Sequence, residues 1–301
     1  VFFVLMIRRP PRSTLDRSSE ASDVYKRQTL RIGDSLLDLS TPIVMGILNV
    51  TPDSFFDGGN YSEVDAALKH TARLISEGAD IIDVGGMSTR PGAKKITAEE
   101  EILRVIPIIK AIRKEFGTVP ISIDTVYGKV AKESINAGAN LINDVSAGNY
   151  DPEIFKIAAE TKVPYVLMHM QGTPETMQVE PQYSDVTREV FDFFIKNIHS
   201  LKGRGIEEII IDPGFGFGKT TEHNYLLAKN LDVIKQIGLP VMVGISRKSM
   251  ICKVLKVNPE KALTGSTALH AILLLKGADI LRVHDIKEAK EVIKIVSQLK
   301  I

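Results

Sequence analysis

The chain has 301 residues, of which 44% are hydrophobic and 25% charged, a balance that suits a globular protein able to bury a large core. Its formal net charge is +1, so it encodes no bulk attraction to nucleic acid or to an acidic membrane, and no apolar run approaches the roughly 20 residues of a membrane span. A single cysteine, Cys252, excludes an internal disulfide and fits a reducing, cytoplasmic compartment, and the 6 histidines show no zinc-type spacing with it. Residues 1–28 stand apart from the rest. Their apolar start, Val1 to Ile7, precedes Arg8, Arg9 and Arg12, the reverse of a secretory signal. Pro10-Pro11 and the serine-rich stretch from Ser18 to Ser22 then read as disordered. Residues 1–28 are expected to be a non-native or disordered extension, of the kind that sequencing read-through or a gene fusion produces, and residues 29–301 a single domain.

Thr29 to Leu39 reads as a short hairpin with its turn at Gly33-Asp34. Apolar runs then recur at Ile43–Leu48, Ile81–Val84, Val119–Ile123, Leu141–Ile142, Tyr165–Met168, Ile209–Ile211, Val241–Ile245 and Ile280–Val283. Between them lie amphipathic stretches of helical length, among them Glu63–Ser76, Ala98–Phe116, Val126–Ala137, Asp185–Leu201 and Ile286–Leu299. Gly78-Ala-Asp80, Gly138-Ala-Asn140 and Gly277-Ala-Asp279 each precede a run, where glycine can end a helix in a left-handed cap. Buried strands alternating with helices demand a parallel sheet with right-handed crossovers. The spacing predicts an α/β fold, a (β/α)8 TIM barrel with a short N-terminal hairpin, and a doubly wound open sheet is the alternative.

In such a barrel the ligand site lies at the C-terminal ends of the strands. Those ends carry Asn49, Gly85-Gly86, Asp124-Thr125, Asn143-Asp144, His169, Asp212, Ser246-Arg247-Lys248 and Arg282-Val283-His284-Asp285. A single Asn or Asp after a strand is often only a helix cap, but a full ring of polar ends points to one mouth. The most distinctive end is Asp212-Pro-Gly-Phe-Gly-Phe-Gly-Lys219. Pro213 breaks the Walker A spacing, and the alternating glycines break the dinucleotide spacing. Asp212 and Asn143 suit a flat heterocycle with adjacent N–H and C=O groups. Arg90, Lys248, Arg282 and His284 form a cationic set such as a diphosphate requires. Asn49 could offer an amide oxygen to Mg2+. No nucleophile or proton-abstracting dyad is visible, so positioning and stabilisation of a departing anion are the expected chemistry.

Several motifs in order, Ile47-Leu-Asn-Val-Thr-Pro-Asp-Ser-Phe55, Gly85-Gly-Met-Ser-Thr-Arg-Pro-Gly92, Ile123-Asp-Thr125, Asn143-Asp144, the Asp212 loop, Ser246-Arg-Lys-Ser249 and Arg282-Val-His-Asp285, resemble the dihydropteroate synthase family over about Thr29 to Ile301. The resemblance implies an alkyl/aryl transferase of folate biosynthesis, Mg2+-dependent, commonly homodimeric and a target of sulfonamides. It would condense 6-hydroxymethyl-7,8-dihydropterin diphosphate with 4-aminobenzoate. By the same resemblance Asp124, Asn143, Asp212 and Lys248 would bind the pterin. Asn49, Thr89, Arg90, Arg282 and His284 would bind diphosphate, with Asn49 also on the metal. Thr89, Arg90, Phe217, Ser246 and Lys248 would bind p-aminobenzoate, and Arg90, Lys248, Arg282 and His284 would carry the catalytic charge. Asp53 and Phe55 would belong to a closing loop. Met87 departs from the glutamate of many members.

Two other readings share these residues. A methyltetrahydrofolate-dependent corrinoid methyltransferase would use Asp124, Asn143 and Asp212, but it has no need of the Lys248 and Arg282–His284 charges. A non-catalytic pterin-binding protein would be expected to have lost one of Asn49, Arg90, Lys248, Arg282 or His284, and all are present. Lys219 reads equally as a pocket residue or a solvated lysine at a helix start, and the role of His169 stays open, a satisfied pocket histidine being one reading.

Overall fold

A computed structural model describes residues 29–33, 35–50, 60–87, 96–172, 177 and 181–299. The proposed extension at 1–28, together with Asp34, Asp53, Phe55, Thr89 and Arg90, lies outside the described residues. Strands β1 (Thr29–Ile32) and β2 (Ser35–Asp38) form the expected antiparallel hairpin. Eight parallel strands follow: β3 (Ile43–Asn49), β4 (Ile81–Gly85), β5 (Ile121–Asp124), β6 (Leu141–Asp144), β7 (Tyr165–Met168), β8 (Ile209–Asp212), β9 (Met242–Val243) and β10 (Ile280–Val283). The sheet runs β8-β7-β6-β5-β4-β3-β10-β9, and a parallel bridge between Ile211 and Val241 joins its two ends. That closure makes a (β/α)8 barrel and removes the open-sheet alternative.

Two strands are shorter than their apolar runs. Proline has no N–H for a ladder, so β5 begins after Pro120, although the Pro120 carbonyl still accepts from Ile82 N at 2.9 Å. In β9 the ladder pairing is confined to Met242 and Val243.

The helices between strands are α1 (Asn60–Ser76), α2 (Ala98–Phe116), α3 (Gly128–Asn136), α4 (Glu153–Thr161), α5 (Val186–Gly203), α6 (Thr221–Lys229), α7 (Leu231–Lys235), α8 (Ser249–Leu255), α9 (Leu263–Leu275) and α10 (Ile286–Ser297). Local chemistry sets their starts. Thr97 and Glu100 form a capping box on α2, with Glu100 N donating to Thr97 Oγ1 at 3.2 Å and Thr97 N to Glu100 Oε2 at 2.9 Å. Asp185 caps α5 by accepting from Thr187 N and Arg188 N.

Period two governs the strands. One set of alternate residues, with Val44, Ile82, Ile123, Ile142, Leu167, Ile211, Val243 and Leu281 among them, packs in the large cluster shared with the helices. The other set, Ile43, Met45, Ile81, Leu141, Val166, Ile210, Met242 and Ile280, forms a separate inner cluster that the hairpin residues Leu30 and Ile32 complete. The inner cluster is a dry floor. The polar strand ends stand above it.

The repeated Gly-Ala-Asp/Asn signature works at the opposite rim. Each glycine has positive φ, +102° at Gly78, +115° at Gly138 and +98° at Gly277. Each acidic or amide side chain then accepts a backbone N–H from a neighbouring strand: Asp80 from Val44 N at 2.7 Å, Asn140 from Ile121 N at 2.8 Å and Asp279 from Val241 N at 2.7 Å. Lys290 and Lys235 pair with Asp80 and Asp279.

Candidate active site

Several inward polar residues sit where their strands place them, two residues beyond a floor residue. Asp212 follows Ile210, Asn143 follows Leu141 and Arg282 follows Ile280. The structure brings Asn49, Asp124, Asn143, Asp212, Lys248 and Arg282 to one mouth. Gly85 and Gly244 are the spaces around which they gather. A Cβ on Gly85 would lie 3.7 Å from Asp124 Oδ2 and 3.8 Å from Asn49 Oδ1, and one on Gly244 would lie 3.8 Å from Lys248 Nζ and 3.9 Å from Arg282 Cβ.

Arg282 is the hub. Its Nε donates to Asp83 Oδ2 at 2.6 Å and its Nη2 to Asp124 Oδ2 at 2.5 Å. Asn143 Nδ2 donates to the same Asp83 oxygen at 3.1 Å. Burial alone would pull the Arg282 guanidinium down, but the flanking Asp83 and Asp124 carboxylates outweigh it and raise its pKa. Burial pushes the Asp124 carboxyl up, with Arg282 pulling against it. Arg282 therefore lies deeper than the sequence grouping with His284 implied. His284 is exposed at the rim, where its Nδ1 and backbone N both lie 3.3 Å from Ser246 Oγ.

The glycine-rich loop folds back over the mouth. Gly214 has φ +69°, and a Cβ there would fall 1.9 Å from the His169 carbonyl oxygen, so only glycine fits. Asp212 Oδ1 accepts Gly214 N at 2.8 Å, and burial raises its pKa while Lys248 opposes. Lys248 reaches back to the loop, donating to the Phe215 carbonyl at 2.6 Å with its Nζ 4.7 Å from the Phe217 ring centroid. Burial brings the Lys248 pKa down to about 8, against the pull of Asp212.

Lys219 is not a solvated helix-start lysine. It is 3% exposed, and its Nζ donates to the carbonyls of Gly214 at 3.0 Å, Phe217 at 3.1 Å and His169 at 3.3 Å, and meets His169 Nδ1 at 2.9 Å. Burial lowers the Lys219 pKa to about 7, and burial with the Lys219 charge takes His169 down to about 3. The imidazole is thus neutral and accepts from the lysine, so the structure gives His169, whose role the sequence left open, a partner in the wall of the pocket. Together they pin the loop to the end of β7.

Other polar strand ends are structural. Asp144 accepts from Ser146 N, Ser146 Oγ, Gly148 N and Tyr165 Oη. Arg247 turns from the mouth to Asp285, with both contacts at 2.8 Å, and to the carbonyls of Pro259 and Glu260. Met87 packs with Val126, Val145, Met168 and Phe217 in an apolar patch.

Two buried carboxylates were not singled out from the sequence. Asp83 interrupts the apolar run Ile81-Ile-Asp-Val84, and a charge at an inward position of such a run is the signal that reveals it. Glu101, wholly buried behind Asp124, accepts from Thr125 Oγ1 at 2.8 Å, and burial raises its pKa to about 7. Its place in the first turn of a well-capped helix hides it among Glu99 and Glu100.

A closed barrel whose mouth gathers buried carboxylates, an amide and half-buried cations under a glycine loop suits an enzyme for a flat, hydrogen-bonding heterocycle, and the family described as pterin binding enzyme matches residues 45–284. The dihydropteroate synthase of Escherichia coli (strain K12) is 50% identical over 262 residues, 86% of this chain and 92% of that protein. A Yersinia pestis dihydropteroate synthase solved as a sulfonamide drug complex is 45% identical, with a TM-score of 0.85 over 90% of this chain and 99% of that one. The Xanthomonas albilineans enzyme in complex with 7,8-dihydropteroate is 38% identical, with a TM-score of 0.81 over 90% of this chain and 98% of that one. The chain belongs to the dihydropteroate synthase family within the pterin-binding enzymes. It is a transferase, and its reaction is the condensation of 6-hydroxymethyl-7,8-dihydropterin diphosphate with 4-aminobenzoate, giving 7,8-dihydropteroate and diphosphate.

Proposed function

We propose that this condensation is run by the residues gathered at the mouth, joined by family residues that lie outside the described ones. Asp212, Asp124 and Asn143 hold the pterin, since carboxylates and an amide oxygen match its N–H groups. Arg282, with Asn49, Thr89, Arg90 and His284, takes the diphosphate, and Lys248 serves both the pterin and the arylamine. Phe217 walls the 4-aminobenzoate site, with Ser246, Lys248, Thr89 and Arg90 around the carboxylate. By the family resemblance Asp53 and Phe55, outside the described residues, would belong to a loop that closes over the substrates. The arylamine nitrogen attacks the exocyclic methylene carbon and the C–O bond breaks. The electron pair leaves on diphosphate, and the nitrogen loses a proton. Fixed cations that meet the departing charge lower the barrier without reorganising.

The observation that carries this reading is the position of Lys248. Its ammonium has Asp212 as a charge partner and stands over the Phe217 ring, so one cation spans the pterin and arylamine sides. Phe217→Ala should raise the KM for 4-aminobenzoate about tenfold, with the KM for the pterin diphosphate unchanged, on the scale of one lost aromatic contact. Equal rises in both would contradict the division. Sulfonamides, which mimic the arylamine, should inhibit competitively against 4-aminobenzoate, and inhibition that persists at saturating 4-aminobenzoate would remove that pocket assignment.

Mg2+ fits the donors at hand. Asn49 Oδ1 and Asp124 Oδ2 lie about the same Gly85 space, hard oxygens beside the diphosphate residues. Mg2+ is commonly held by few protein oxygens, with substrate phosphate and water completing its shell. Asn49 would hold it, and the ion would neutralise charge on the leaving diphosphate. The reading extends to a cytoplasmic homodimer. Supporting a dimer are the exposed apolar side chains Leu226, Val254, Leu255, Ile272 and Leu275 on α6, α8 and α9, helices that pack side by side. Among the described residues no helix is long and apolar enough to cross a membrane.

A further inference from the structure

Asp83 holds the middle of β4, wholly buried, with floor residue Ile81 two positions before it and Gly85 two positions after. An ionised carboxylate at such depth is costly unless it is paired and hydrogen-bonded. Its Oδ2 accepts from Arg282 Nε at 2.6 Å and from Asn143 Nδ2 at 3.1 Å, while its Oδ1 has no partner among the described residues. Asp83 is 0% exposed and its Oδ2 is already taken by Arg282 and Asn143, while Asp124 at 7% is the more open carboxylate for a ligand entering the mouth.

Two consequences follow from elementary hydrogen-bond chemistry. A carboxylate only accepts, so Asn143 must turn its NH2 group to Asp83, which leaves its amide oxygen as the acceptor presented elsewhere. A guanidinium is a rigid fork, so Nε bound to Asp83 fixes its plane even when Nη2 lets go of Asp124.

We propose that Asp83 is a positioning residue for the transfer reaction: it retains Arg282 at the diphosphate end when Asp124 turns to the pterin, and it orients Asn143 so that the amide oxygen faces the pterin N–H groups. This rests on the reading of Asp124 and Asn143 as pterin residues and of Arg282 as a diphosphate residue. Asp83→Asn is the discriminating change. It is nearly isosteric, but an amide can also donate, so Asn143 is free to flip, and Arg282 loses a charged partner.

The experiment measures the affinity of the full chain for 6-hydroxymethyl-7,8-dihydropterin and for its diphosphate by calorimetry, with the melting temperature reporting the fold. Asp83→Asn should weaken the dihydropterin, through Asn143. It should also shrink the extra affinity brought by the diphosphate about tenfold, through Arg282, on the scale of one charge-assisted hydrogen bond. The KM for 4-aminobenzoate should stay at its wild-type value, which a general loosening of the barrel would not allow. Should Asp83→Asn fail to fold, Arg282→Lys keeps Asp83 and the charge but removes the fork, and it should lose the same diphosphate increment. A normal wild-type increment that survives in these variants overturns the proposal alone. A wild-type chain with no increment overturns it together with the site reading beneath it.

Discussion

The floor and the mouth of the barrel are built by the same strands, two residues apart. On β8 Ile210 is floor and Asp212 is mouth, on β6 Leu141 and Asn143, on β10 Ile280 and Arg282, and on β4 Ile81 and Asp83. All point inward, because a strand returns to the same face every second residue. The floor is apolar, closed below by the hairpin, and its work is burial. The mouth carries charge, each group held by a partner, and in the proposed function its work is recognition. Stability and activity are thus separated along the barrel axis over a single i, i+2 step.

That separation can be broken from either side. The largest effect on stability is expected on the floor: Ile210→Ala should cost about 2–5 kcal/mol in chemical denaturation, the range for buried large-to-alanine changes, while the KM values of the folded fraction remain at wild type. A shifted KM would show that the floor shapes the site. At the mouth, Lys248→Ala or Arg282→Ala should lower turnover by about 10²-fold or more, the scale of one preorganised charge. Steady-state turnover of the folded variants checks this, and wild-type turnover in either would remove that residue from the site.

The helical layer behind the mouth gives a smaller, pH-dependent effect. His270 on α9 is buried, neither ring nitrogen has a partner among the described residues, and burial lowers its pKa to about 4. The unfolded chain takes up a proton near the ordinary histidine value of 6.5 and the folded chain does so only near 4. Stability from this group is therefore complete above about 6.5 and is lost as pH falls toward 4. By pH 5 the loss should be about 2 kcal/mol, and His270→Leu should flatten that part of the stability profile. An unchanged acid slope in the variant would assign the loss to other groups. The smallest effect is expected at the lower rim: Asn140→Ala removes the acceptor for Ile121 N and should cost about 1 kcal/mol in thermal unfolding with turnover unaffected.

The fold was legible because its signals are periodic. Each barrel strand began within an apolar run, α2 matched its amphipathic stretch at both ends, and the glycine before Asp80, Asn140 and Asp279 marked each return to the sheet. The rim function of Asp80, Asn140 and Asp279 was not legible, because their backbone partners belong to neighbouring strands distant in sequence. At the mouth, strand position found Asp124, Asn143, Asp212 and Lys248, since a polar residue closing an apolar run is conspicuous. Two features escaped. Asp83 looked like a strand interior, and its worth appears only when Arg282, 199 residues away, folds onto it. Lys219 was left open between pocket and solvent, and only the return of the glycine loop to His169 encloses it. A break in an apolar run can mark a charge such as Asp83, but the remote partner that satisfies it has no local pattern, which is why these two needed the fold.

The most direct test of the transferase account is diphosphate release by the purified chain from 6-hydroxymethyl-7,8-dihydropterin diphosphate with Mg2+, measured with and without 4-aminobenzoate. The account predicts release that depends on 4-aminobenzoate and matches 7,8-dihydropteroate formed mole for mole. Folded protein that binds the dihydropterin yet releases no diphosphate when 4-aminobenzoate is added would contradict it.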